Sequence, residues 1–484
     1  MASSSSVMAP IFANQSCDPW QPRQKPCTLG NYVSYAVAVS GPEDAVAALK
    51  FAEENDIRVV IRNTGHDYLG RSTGAGALGI WTHHLKSTEV INWEDPYYRG
   101  KALKLGAGVQ GFEALAAAKE AGLVVVTGEC PTVGVAGGYI QGGGHSALST
   151  NFGLAADNTL SFQVVTPRRD VLTASSTENQ DLYWALSGGG GGNFGIVTSV
   201  TVKAHPDDTV AGASFQVNTT EENPDLIFEV IDDFHKALPN IVSAGFMVIY
   251  FFNKDFLQVP ALTAYGKKKE QVGDILRSFH DKLMTLGVDF QPEYTEFTSY
   301  HDHYDHYWGP LPEGNIQVGT QLFGGRLIPR SALAHFSSVA RQIAEEDVTF
   351  IGVGTDVSAF GKQPHNAVLP QWRDSIVSAS LTLPWSFQAP FREMIETQLK
   401  ITKVVEPVVE LATPGSGAYI NEADFLQTDW QETFFGANYP ELSSIKRRYD
   451  PSNLLYVHVG VGSEAYEVNS DGKMCRPGGL HTDL

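Results

Sequence analysis

The chain has 484 residues, 43% of them hydrophobic and 18% charged, enough for two or three domains or for one two-lobed enzyme with a large core. A formal net charge of −20 argues against nucleic acid and anionic membranes as partners, and no run of about 18 apolar residues offers a transmembrane helix. The 47 glycines exceed the usual share of ~7% and crowd the first part of the chain, as loops that closely approach a ligand require.

Residues 1–27 read as an extended N-terminal arm. The opening Met1-Ala2-Ser3-Ser4-Ser5-Ser6 has neither a basic region nor a long apolar core, so it does not read as a signal peptide. Cys17 and Cys27 lie close together in a Pro-rich stretch that suits a disulfide. The triplets at Asn14 and Asn218 are glycosylation sequons. These features favour a secreted protein whose signal is absent from this sequence, with a cytoplasmic protein as the alternative.

From Tyr32 an alternating strand, 33–39, leads to Ser40, which reads as the cap of a helix with Ala45, Ala48, Leu49 and Ala52 on one face. A second strand, 58–62, delivers residues 62–73, RNTGHDYLGRST, where Gly65 and Gly70 flank His66. Glycine loops admit close phosphate approach, but a nucleophilic imidazole inside one is unusual for a plain phosphate cradle. A strand ending at 108, a helix over 112–120 and a buried strand over 123–126 follow. They run into residues 128–146, GECPTVGVAGGYIQGGGHS. A strand over 160–166 and a helix over 181–186 precede residues 187–195, SGGGGGNFG, and a strand over 196–202.

That last glycine run follows a helix and precedes a strand, the reverse of a dinucleotide fingerprint, so Rossmann binding is set aside. Past residue 207 glycine thins out. Strands such as 246–252 mix with helices at 224–238 and 331–345, which predicts an antiparallel sheet covered by helices. A final helix over 438–448 is stopped by Asp450-Pro451. His301, His303 and His306 have metal-like spacing, but their aromatic, Pro-rich setting reads as a loop, and no metal is expected. Lys446-Arg447-Arg448 reads as a solvated helix end near the negative pole of its dipole.

The stretch RNTGHDYLGRST matches the G-H-x-x-x-G-x-[ST] pattern and resembles the vanillyl-alcohol-oxidase and p-cresol-methylhydroxylase (PCMH) flavoproteins. Cys130 in GECPTVG, the Gly142-Gly143-Gly144 run, residues 153–158, residues 192–197, Tyr419-Ile420-Asn421, Asn438-Tyr439 and Tyr449-Asp450-Pro451 resemble the berberine-bridge-like branch. The resemblance spans nearly the whole chain in order. It implies an α+β, two-lobed FAD-binding PCMH-type fold: a flavin lobe over 28–207, a substrate lobe over 208–418, and a segment over 419–484 returning to the flavin lobe.

The resemblance further implies that His66 bonds to the 8α position of FAD and Cys130 to its C6. One residue more than in plant members separates Cys130 from the glycine run, so single attachment through His66 is the firmer expectation. Other cofactor contacts implied are Arg62, Asn63, Thr64, Gly65, Asp67, Ser72, Val133, Gly134, Gly138, Gly142, Gly143, Gly144, His145, Asn158, Gly195, Ile196, Val197, Asn421 and Tyr439. Tyr419, taken to lie on a strand facing the flavin, is the expected base, provided its neighbours lower its pKa; Tyr139 is a second catalytic candidate. A valine at 133 goes with oxygen access in plant relatives, which implies an oxidase forming H2O2. The expected partners are a small-molecule substrate and O2, with no nucleic acid or membrane, in a monomer or weak dimer. A secondary metabolite is the leading substrate class. A carbohydrate or alcohol oxidase, a redox-neutral cyclase and a non-catalytic flavin carrier are the alternatives.

Overall fold

The computed structural model describes residue 12 and residues 22–219, 222–316, 321–362, 365–386, 388–468 and 474–475. Cys27 is disulfide-bonded; Cys17, Asn14 and Thr220 lie outside the described residues, as does most of the expected arm. No described helix is long and apolar enough to cross a membrane.

Tyr35–Ala38, Leu78–Trp81 and Val59–Arg62 form a parallel sheet in that order. Helix Pro42–Glu54 joins the first strand to Val59–Arg62 and buries Ala45, Ala48, Leu49 and Ala52, the stripe that its sequence period predicts. Its cap differs from expectation. Gly41 takes the capping position, while the Ser40 hydroxyl donates to the Asp44 carboxylate. Beside this unit stands a five-stranded antiparallel sheet, in the order Thr88–Glu94, Arg99–Gly106, Ile196–Lys203, Thr159–Val165, Val171–Ser175. The strand expected over 123–126 pairs only at Leu123–Val124; Val125 and Val126 remain buried without pairing.

A seven-stranded antiparallel sheet follows, ordered Glu293–Phe297, Val210–Asn218, Phe256–Tyr265, Met247–Phe252, Thr349–Gly354, Ser375–Pro384, Gln321–Pro329. The two-residue side-chain period of its strands divides them between two cores. Val248, Tyr250 and Phe252 pack under helices Leu226–Ser243 and Ser337–Glu345. Met247 and Ile249 face the opposite way and join the core that contains the glycine segments. The helix expected over 331–345 is two, Arg330–Leu333 and Ser337–Glu345, with Phe336 buried at the break.

The histidine-rich stretch is a helix, Tyr300–Trp308, rather than a loop. The Ser299 hydroxyl accepts from the Asp302 amide and caps it. Tyr300, Tyr304, Tyr307 and Trp308 make its buried face. His303 is inside, within 3.0 Å of the Thr263 hydroxyl, whereas His301 lies near Lys119 and His306 is exposed. Tyr304 Oη donates to the carbonyls of Gly128 (2.8 Å) and Glu129 (3.0 Å), so this helix braces the loop that carries Cys130.

The end of the chain returns to the first sheet, where Leu455 bridges Val59 in parallel. Helix Tyr439–Tyr449 does not end in three solvated cations as expected. Lys446 is buried, and its ammonium donates to the carbonyls of Asn193 and Leu455 and to Asp450. Burial lowers its pKa, against the opposing pull of Asp450.

Candidate active site

Strand Val59–Arg62 hands the chain to the histidine loop. Gly65 (φ 88°) and Gly70 (φ 74°) occupy the left-handed region that side chains with a Cβ avoid. Asp67 closes the loop on itself by accepting from the amides of Leu69 (3.0 Å) and Ser72 (2.7 Å). Arg71 then ties it to the chain end. Its guanidinium donates to the carbonyls of Ile420 (3.0 Å), His458 (3.1 Å) and Val459 (3.5 Å). Burial lowers the Arg71 pKa to about 10 while Asp67 opposes it, so the cation persists at neutral pH.

His66 Nε2 lies 2.8 Å from the Thr132 hydroxyl, and its Nδ1 lies 4.0 Å from Cys130 Sγ. Burial, helped by Arg62, lowers the imidazole pKa to about 4. The ring is therefore neutral at physiological pH, the form in which it is a nucleophile. Two nucleophilic atoms brought from residues 64 apart thus meet at one wall of a cavity.

That cavity has a volume of about 240 Å³ and opens to solvent. Asn63, Thr64, Gly65, His66, Asp67 and Ser72 line one side. Cys130, Val133, Gly134, Gly138, Tyr139 and His145 line another. Gly195, Val197, Tyr419 and Asn421 complete the expected set that reaches it. Seven expected residues do not line it. Arg62 faces a neighbouring groove. Gly142 packs under the Asn421 amide and Gly144 against Tyr139, and Gly143 adopts φ 117° beside Val368. Asn158 is a buried turn residue that donates to the Phe152 and Leu154 carbonyls. Ile196 belongs to the small core under helix Pro42–Glu54, and Tyr439 donates to Glu464.

The lining suits a large polar cofactor. Asn63 Oδ1 and Gln141 Oε1 are buried with no hydrogen-bond partner among the described residues, acceptors that a bound molecule would satisfy. A Cβ on Gly134 would strike the Asn63 side chain at 2.4 Å, which keeps that wall thin.

The sequence reading missed two carboxylates. Glu129 and Glu422 both line the cavity and hold His145 between them. Glu129 lies 3.2 Å from Nδ1, and Glu422 3.1 Å from Nε2. Burial disfavours the imidazolium, but the two carboxylates override it and raise the His145 pKa well above an ordinary histidine's. Tyr139 Oη donates to the His145 carbonyl, and the Tyr419 ring meets the His145 ring edge-on at 5.3 Å. Tyr419 belongs to no strand, and its pKa is not lowered. Burial, then Glu422, pushes the phenol far up, despite a 2.7 Å hydrogen bond from the Asn421 amide. Tyr68, two residues past His66, lines the cavity with its ring stacked on Phe323 at 4.2 Å.

The family model described as an FAD binding domain matches residues 33–175, and the one described as berberine and berberine like matches 418–462. FAD-linked oxidoreductase ZEB1 of Gibberella zeae is 53% identical, over 98% of this chain and 84% of its own. The chain belongs to the FAD-linked oxidoreductases of the vanillyl-alcohol-oxidase type, berberine-bridge-like branch. Among solved members of this family, the flavoprotein MtVAO615 from Myceliophthora thermophila superposes with a TM-score of 0.91 at 41% identity, covering 96% of this chain and 86% of that one. Glucooligosaccharide oxidase from Acremonium strictum, whose FAD is described as 6-S-cysteinyl and 8α-N1-histidyl, shares the fold at 19% identity. Its TM-score is 0.71, over 90% of this chain and 92% of that one. As a member of this family the chain is an FAD-dependent enzyme acting on small molecules, and the expected α+β two-lobed fold holds.

Proposed function

We propose that this flavoenzyme is an oxidase of a secondary metabolite, carrying FAD on both His66 and Cys130. One observation carries the reading: neutral His66 Nδ1 and Cys130 Sγ stand 4.0 Å apart at one wall of the cavity. The doubly attached FAD of glucooligosaccharide oxidase supports the same pairing. FAD, when bound, supplies the acceptor for a substrate hydride and the reaction with O2.

The chain's own residues position and shield. Asn63, Thr64 and Asn421 offer polar contacts along the cavity, and Tyr68, its ring backed by Phe323, adds an aromatic group to the lining. Tyr419 stays a neutral phenol beside the reacting region. The disulfide at Cys27 supports a secreted protein. The test is anaerobic mixing with a substrate panel. Bleaching of the yellow flavin, followed by peroxide release on admitting air, is the expected result; product formation without bleaching points to a redox-neutral cyclase instead.

A further inference from the structure

We propose that Glu422 is the residue that accepts the substrate's proton, oriented by His145 and backed by Glu129. The inference rests on the oxidase reading above and names its missing base. Each ring nitrogen of His145 faces a carboxylate oxygen, Glu129 at 3.2 Å and Glu422 at 3.1 Å. A neutral imidazole would turn a lone pair towards one of those oxygens, whereas an imidazolium donates to both. An imidazolium held between two carboxyl groups leaves the triad room to take up one further proton. Among the described residues, the groups that feel the two carboxyls are the phenols Tyr68, Tyr139, Tyr300, Tyr304 and Tyr419, none of them a cation.

The two acids are not equivalent. The Glu129 side chain is 9% exposed, and its two oxygens lie 3.3 and 3.2 Å from Nδ1. Glu422 is 24% exposed and uses Oε1 on His145. Among the described residues nothing hydrogen-bonds its Oε2. Glu422 is thus the member that can reach a substrate, and His145 is a positioning residue. In the oxidation of a carbinol, the O–H bond breaks, its electron pair stays on oxygen, and Glu422 Oε2 takes the proton. The carbinol C–H bond would break with its electron pair passing as hydride to FAD when that is bound, which closes the carbonyl and balances charge and electrons.

The test compares the parent holoenzyme with Glu422→Gln, Glu422→Asp and His145→Asn in rapid anaerobic mixing. The probes are benzyl alcohol, cinnamyl alcohol and cellobiose. The expected result for Glu422→Gln is full flavin content, unchanged probe affinity and bleaching slowed by about 100-fold or more. Glu422→Asp recovers part of the rate, and His145→Asn slows bleaching with probe affinity and flavin content unchanged, a split that a merely structural role would not give. A Glu422→Gln enzyme that bleaches at the parent rate overturns this inference alone. If that variant loses its flavin, Glu422→Asp decides, and bleaching at the parental rate overturns it. Failure of the parent to bleach with every probe overturns the oxidase reading and this inference with it.

Discussion

The Lys446 ammonium donates to the Asn193 carbonyl oxygen at 2.7 Å and fastens the last long helix to the glycine turn beside the cavity. Its other two donors go to Asp450 (2.6 Å) and the Leu455 carbonyl (2.7 Å), so all three N–H groups are used. Replacing Lys446 with Met would leave Asp450 buried and charged without its cation. The expected loss is about 3–5 kcal/mol of stability, read as an earlier unfolding midpoint of the holoenzyme in urea. Arg447, on the exposed side of the same turn, is the control, and its replacement by Ala should change stability by no more than about 0.5 kcal/mol.

Acid precipitation tests the two attachments. The parent pellet is expected to be yellow, and His66→Ala together with Cys130→Ala should put all the colour in the supernatant. Each single variant should keep colour through the remaining bond. A yellow pellet from the double variant would remove both residues from the linkage.

A buried carboxyl pair makes stability depend on pH. Burial first, and Asp424 next, raise the Glu406 pKa well above an ordinary glutamate's; burial raises Asp424 as well. Between the ordinary value and the raised one, the native state keeps a proton that the unfolded chain has released. Stability therefore falls as pH rises through that window. Glu406→Gln stays neutral and keeps an oxygen for the Gly325 amide, which donates to Glu406 at 3.2 Å. Thermal unfolding should show parent and variant nearly equal near pH 4 and the variant more stable at pH 7–8. A difference that does not change with pH refutes the retained proton on Glu406.

Val133 borders the cavity three residues after Cys130. Substituting Leu adds a methylene where oxygen would approach. The expected outcome is reoxidation of the reduced enzyme by O2 slowed by about tenfold or more, with anaerobic bleaching unchanged. Stopped-flow mixing of reduced enzyme with O2 measures it; equal reoxidation rates would take Val133 out of oxygen control.

Local patterns reached far along this chain, because apolar period and glycine chemistry are written residue by residue. The Ala45, Ala48, Leu49 and Ala52 stripe is buried as read, and most of the residues named for the flavin do line one cavity. Two features misled. His301, His303 and His306 drew attention from Tyr300, Tyr304, Tyr307 and Trp308, whose helical spacing and Ser299 cap were the usable signal. Lys446 looked like its neighbours Arg447 and Arg448, and only Asp450, four residues on, hinted at a partner. Glu129 and Glu422 carried no local signal at all. They meet across His145 through the return of the chain end, which no window of sequence contains.

Arg71 spends its donors on carbonyls of residues 420, 458 and 459, so the histidine loop takes its final shape only when the last part of the polypeptide has left the ribosome. Cofactor loading is therefore expected to wait for the whole polypeptide, and a chain truncated before residue 420 is expected to be recovered colourless however well its first two hundred residues had folded.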